Sequence, residues 1–108
     1  DSILNFAESD LYQKALTMDI RKELPFYMED PASGQPVTGV MDFVAFGPDE
    51  ILLIDFKTDA MTPEAIRRHY SPQLNIYRQA LRLLKPDLPV HAWAWSFHNR
   101  TAVEIPEG

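Results

Sequence analysis

At 108 residues the chain has room for one domain around one core. A hydrophobic share of 45% excludes a disordered segment, and the absence of cysteine excludes disulfides and thiolate metal sites while fitting a reducing cytoplasm. The formal net charge of −6 argues against strong autonomous affinity for nucleic acid, and no apolar run approaches the ~20 residues that span a bilayer, so no membrane partner is expected.

The opening Asp1-Ser2-Ile3-Leu4 has neither a basic region nor a long apolar stretch. It does not resemble a signal peptide and reads as the start of a piece cut from a longer chain. A helix is expected from about Ile3 to Leu16, with Phe6, Leu11 and Ala15 among its apolar positions. Ile20 to Met28 reads as a strand, and Pro25, which removes a ladder donor, places it at a sheet edge. Glu29 to Pro36 is a loop rich in turn formers. Val37 to Phe46 is the second strand, and Gly47-Pro48-Asp49-Glu50 is a tight connection to the third, Ile51 to Lys57. The third strand is apolar on both faces until its end, as a central strand should be. A helical stretch runs from about Pro63 to Leu84, with Tyr70, Leu74, Tyr77, Leu81 and Leu84 as its buried stripe. Ser71-Pro72 marks an expected break in it, with Ser71 as N-cap. Val90 to Phe97 and Thr101 to Ile105 are two last strands around a turn at His98-Asn99-Arg100. The order α-β-β-β-α-β-β implies an α/β domain with a central, partly antiparallel sheet flanked by helices.

Charge is unevenly spread. Between Ile66 and Lys85 stand Arg67, Arg68, Arg78, Arg82 and Lys85, with His69 beside them and no acid. The segment suits either phosphate contact or a plain solvated helix face.

The second and third strands hold the informative carboxylates. With a four-residue connection, Phe46 pairs with Ile51 and Asp42 falls directly opposite Asp55. Such residues have Cβ atoms roughly 4.5–5.5 Å apart, where like charges repel. A divalent cation between them is the simplest compensation, because hard cations take oxygen ligands. Lys57, two residues beyond Asp55, shares its face and could orient a water or a phosphate oxygen. The competing reading is a strand-capping Asp42, with Asp55 and Lys57 solvated where the sheet ends. A slip of one residue would separate the pair.

A family resemblance then enters. Gly39-Val40-Met41-Asp42-Phe43-Val44, Ile51-Leu52-Leu53-Ile54-Asp55-Phe56-Lys57-Thr58-Asp59, Tyr70 and Gln73-Leu74-Asn75-Ile76-Tyr77 resemble the nuclease domain of RecB- and AddA-type helicase–nucleases, within the PD-(D/E)XK superfamily. Lys22-Glu23-Leu24-Pro25-Phe26 resembles the strand before the first metal-binding aspartate. The resemblance covers most of the chain and implies a restriction-endonuclease-like fold. It implies Asp42, Asp55 and the Phe56 carbonyl as metal ligands, Lys57 as the catalytic lysine and Glu23 as a supporting acid. Gln73 and Tyr77, one helical turn apart, would contact DNA or position the site. For Tyr77 alone, core packing is the competing role. Mg2+ is the expected cofactor, with Mn2+ next.

The implied activity is metal-dependent hydrolysis of DNA phosphodiesters, as the exonuclease module of a cytoplasmic double-strand-break resection enzyme. The implied partners are DNA, a helicase portion of the same parent chain and a second nuclease subunit. One departure stands out: the family's upstream histidine ligand has no counterpart in Asp1 to Leu16, and His69, His91 and His98 all follow the motifs. The isolated chain is therefore expected to bind Mg2+ only weakly and to cut DNA slowly or not at all, with activity more visible in Mn2+ and at low salt. The rival readings are a catalytically incomplete module that binds DNA or a partner subunit, and a stand-alone exonuclease outside this group.

Overall fold

In the computed structural model, which describes residues 2–108, the strands β1 (Asp19–Glu29), β2 (Pro36–Phe46), β3 (Ile51–Lys57), β4 (Val90–Ser96) and β5 (Thr101–Ile105) lie side by side in chain order. All pairs are antiparallel except β3 with β4, which are parallel. Parallel neighbours need a long crossover. It is supplied by the helix α3 (Pro63–Leu84), which covers one face of the sheet. The short helices α1 (Ser2–Ala7) and α2 (Asp10–Ala15) cover the other.

The expected α/β order, the edge position of the Pro25 strand and the central position of Ile51–Lys57 are all present. The core divides into two layers. Ile66, Leu74 and Leu81 of α3 pack on Val44, Ile51 and Leu53, whereas Phe6 and Ala15 pack on Phe43, Leu52, Ile54 and Trp95. No helix among the described residues is long and apolar enough to cross a membrane.

Several expectations need correction. The first helix is two helices, because Ser9 interrupts it: its hydroxyl donates to the Phe6 carbonyl at 2.6 Å and accepts from the Tyr12 amide at 3.2 Å, which closes one helix and caps the next. Conversely, α3 runs unbroken through Pro72. Its Thr-Pro start is at Thr62-Pro63, where Thr62 accepts from the Ala65 amide. The buried Leu74 and Leu81 hold the helix together across the missing Pro72 donor. Leu84 lies outside the buried stripe at 61% exposure.

Three of the five cations in the basic segment are bound within the protein itself. Arg78 is buried and donates to the carbonyls of Val90 and Ile105, tying α3 to β4 and β5. Arg67 donates to the Glu104 carbonyl and pairs with Glu64, and Arg82 pairs with Glu107.

One backbone feature shapes the rest. Side chains alternate between faces along a regular strand. Yet Ile20 packs in the α1–α2 layer while Leu24 and Phe26 pack in the α3 layer. On β2, Phe43 and Met41 are divided in the same way. Both strands therefore turn over together, between the pair Lys22–Phe43 and the pair Leu24–Met41. Glu23 and Asp42 sit at that turnover, and Glu23 has φ +51°, in the left-handed region.

Glu23→Val tests this. Valine is a good strand former, but a β-branched residue is disfavoured in the left-handed region. We expect a loss of ~1–2 kcal/mol in denaturant unfolding, with Glu23→Gly no less stable than the parent. A Glu23→Val chain as stable as the parent would show that the turnover does not require this conformation.

Candidate metal and nucleic-acid site

The β2–β3 ladder follows the expected register, Phe46–Ile51 through Phe43–Ile54. Past the last pair, Oδ2 of Asp42 accepts the Phe56 amide at 2.9 Å, so the aspartate extends the strand pairing through its side chain. Asp42 is near enough to Asp55 to raise its pKa. The structure thus places them at one point, and the solvated-edge reading fails for Asp55, which is only 4% exposed.

Lys57 Nζ lies 2.7 Å from Asp55 Oδ2. This charge-assisted contact is buried on the Asp55 side. On its other side Lys57 donates to Gln73 Oε1 at 3.1 Å. Gln73 Nε2 in turn donates to the Tyr77 hydroxyl at 3.1 Å. Gln73 thereby gains the partners that a part-buried amide requires. Tyr77 does both things expected of it: its ring meets Phe26 edge-on at 5.3 Å, and its hydroxyl ends the polar chain.

Burial, then the hydrogen bond with Asp42, pushes the Asp55 carboxyl up from 3.8 to about 6, while Lys57 opposes the shift. Burial and the two aspartates also raise Tyr77. Lys22, Glu23, Asp42 and Phe56 line a cleft of about 580 Å3 beside the pair. Glu23 is thus at the site's rim. Among the described residues, however, no group of three or more His, Cys, Asp or Glu side chains converges, so Glu23 does not complete a triad with the aspartates. His69 lies against Tyr70, and His91 is 3.8 Å from Glu50.

A protein-family model for the PD-(D/E)XK nuclease superfamily matches residues 3–107. The chain belongs to the PD-(D/E)XK nuclease superfamily. Among its relatives is an ATP-dependent helicase/nuclease subunit of Streptococcus mutans, 36% identical over 89 residues, which are 75% of this chain and 7% of that protein. Proteins of the same name occur in Streptococcus sanguinis (39% over 87 residues, 73% of this chain and 7% of the relative) and Lacticaseibacillus casei (27% over 119 residues, 96% and 10%). The chain spans no more than about a tenth of the length of these curated relatives.

In this superfamily member, two residues near Lys57 take roles that the sequence pattern does not assign. The Tyr70 ring lies 3.9 Å from Lys57 Nζ, measured to its centroid, and the Tyr70 hydroxyl is hydrogen-bonded to Asp59. Helical spacing alone puts Tyr70 in the buried stripe. The signal for a different role is its spacing of three and seven residues from Gln73 and Tyr77, which puts all three on one side of α3.

The raised Asp55 pKa predicts a pH effect. An acid whose folded pKa exceeds its unfolded value favours the fold while protonated. That contribution is full below the ordinary value of 3.8 and is lost as pH rises through about 6. Asp55→Asn stays neutral throughout. Measured in EDTA, its stability relative to the parent should therefore rise between about pH 4 and about pH 7. A stability difference that stays flat across this range would refute the raised pKa.

Proposed function

We propose that this chain is a metal-dependent deoxyribonuclease module that hydrolyses DNA phosphodiesters at Asp42, Asp55 and Lys57. One observation carries the reading: Asp42 bonds to the Phe56 amide at 2.9 Å, which sets its carboxylate beside the buried Asp55, and an ammonium lies 2.7 Å from Asp55. Such a pair needs a proton or a cation between its members. The all-oxygen donor set suits a hard divalent ion, Mg2+ first and Mn2+ second.

Asp42, Asp55 and the Phe56 carbonyl would hold the ion, which would supply Lewis-acid activation of water and neutralise phosphate charge. Lys57 stabilises the charge that grows on the phosphate as water attacks phosphorus and the bond to the departing oxygen breaks. Gln73 orients Lys57, and Tyr77 orients Gln73. Glu23 contributes negative potential at the rim of the cleft, and Lys22 is the cation there that faces an incoming strand.

The names of the relatives support a larger setting. There the module would be the exonuclease of a cytoplasmic DNA-repair helicase–nuclease, joined to a helicase portion in the same parent chain and to a second nuclease subunit. The net charge of −6 and the internal bonds of Arg67, Arg78 and Arg82 favour one rival, a non-cleaving module that binds DNA or a partner subunit.

Cleavage of labelled linear duplex and single-stranded DNA, with Mg2+, Mn2+ or EDTA at low salt, separates the two. We expect slow cutting that is strongest in Mn2+ and absent in EDTA. Asp42→Ala and Asp55→Ala should each abolish calorimetric Mn2+ binding and cleavage. Lys57→Ala should keep Mn2+ affinity and lose about 10²–10³-fold in rate. No cleavage with either metal, or cleavage that survives loss of both aspartates, would overturn the proposal.

A further inference from the structure

Lys57 is gripped from three directions. Asp55 Oδ2 and Gln73 Oε1 take its charge and a hydrogen bond, and the face of Tyr70 closes the third side. The ring is itself fixed. Its hydroxyl bonds to Asp59, two residues beyond Lys57, where the chain has left β3 and turns toward α3. Tyr70 is thus clamped between α3 and the β3–α3 loop, with its π-face toward an ammonium whose side chain is 16% exposed. A lysine on its flexible stem otherwise swings into water.

We infer that Tyr70, locked by Asp59, is a positioning residue that holds the Lys57 ammonium against Asp55 through a cation–π contact. In catalysis, on the nuclease reading above, it keeps that ammonium aimed at the reacting phosphate. Asp59 acts one step further back. Its bond fixes the ring, and it engages an acid that would otherwise compete with Asp55 for Lys57.

Nuclear magnetic resonance of the metal-free chain tests the hold directly. The ring current of Tyr70 should shift the Lys57 ε-protons upfield. In Tyr70→Leu they should move to the values of a solvated lysine. Tyr70→Phe and Asp59→Ala should give smaller shifts, and the double variant should look like either single one, since both remove the same hydrogen bond. Cleavage by the same variants tests the consequence. Tyr70→Leu should lower kcat about 10-fold or more, with KM for DNA and Mn2+ affinity unchanged.

Tyr70→Phe should recover most of that rate, which a lost ring explains and a general loss of fold does not. Lys57 ε-protons at solvated values in the parent, or unmoved in Tyr70→Leu, would overturn the inference. So would an unchanged kcat in Tyr70→Leu, or additive effects of Tyr70→Phe and Asp59→Ala. Should the parent chain cleave no DNA at all, the nuclease reading falls and the resonance shifts still decide whether Tyr70 holds Lys57. Should Tyr70→Leu fail to fold, the Tyr70→Phe and Asp59→Ala pair decides.

Discussion

Two neighbouring carboxylates, one of them buried, repel one another, and the fold around Asp42 and Asp55 keeps them together. Neither can move away. Asp55 lies in the central strand, with neighbours paired on both sides. Asp42 is fastened by the Phe56 amide, so the strand that carries one aspartate also holds the other in place. Lys57, with its ammonium 2.7 Å from Asp55 Oδ2, offsets part of the repulsion. The repulsion that remains is held at a cost in stability.

The turnover of β1 and β2 explains how Asp42 reaches this position. Met41 and Val44 both point into the α3 layer although they are an odd number of residues apart, so the strand rotates across Asp42 and Phe43. β1 rotates with it at Glu23, which keeps the register unchanged on either side. A single strand that twisted alone would lose its partner, whereas two that twist together interrupt the ladder only at Glu23 and Asp42. The interruption lies beside the cleft lined by Lys22, Glu23, Asp42 and Phe56. Local irregularity, strained backbone and candidate chemistry thus coincide.

Much of this was legible in the residues. A continuous apolar run ending in Asp55 and Lys57 could only be a buried central strand, and a four-residue connection fixed which β2 residue would face Asp55. Those inferences rest on period and loop length, which are local. Three features were not legible because they depend on distant partners. Ser9 splits the first helix with a short-range pair of hydrogen bonds that outweighs the apolar pattern around it. Pro72 reads as a break, but Leu74 and Leu81, buried against the sheet, carry α3 through it. The roles of the arginines were hidden for the same reason. Arg78 looks like a surface charge until β4 and β5 arrive to present the carbonyls of Val90 and Ile105. The left-handed Glu23 had no sequence signal at all, since glutamate is not the residue that such a conformation favours.

The arginine placement also bears on how a polyanion would reach the site. Arg78 serves the interior, Arg67 and Arg82 answer acids or carbonyls of the same chain, and Lys57 is committed to Asp55 and Gln73. Long-range attraction of DNA by a chain of net charge −6 is therefore weak, and it weakens further with salt. The positive charge at the centre is a single ammonium beside two carboxylates. A cation bound by Asp42 and Asp55 would reverse the local sign there, changing a site that repels phosphate into one that accepts it. Metal and nucleic acid would then bind cooperatively through electrostatics alone, each lowering the cost of the other. The same logic gives the polar chain from Tyr77 through Gln73 to Lys57 its use: its hydrogen bonds supply direction and add no charge that the cation would have to overcome.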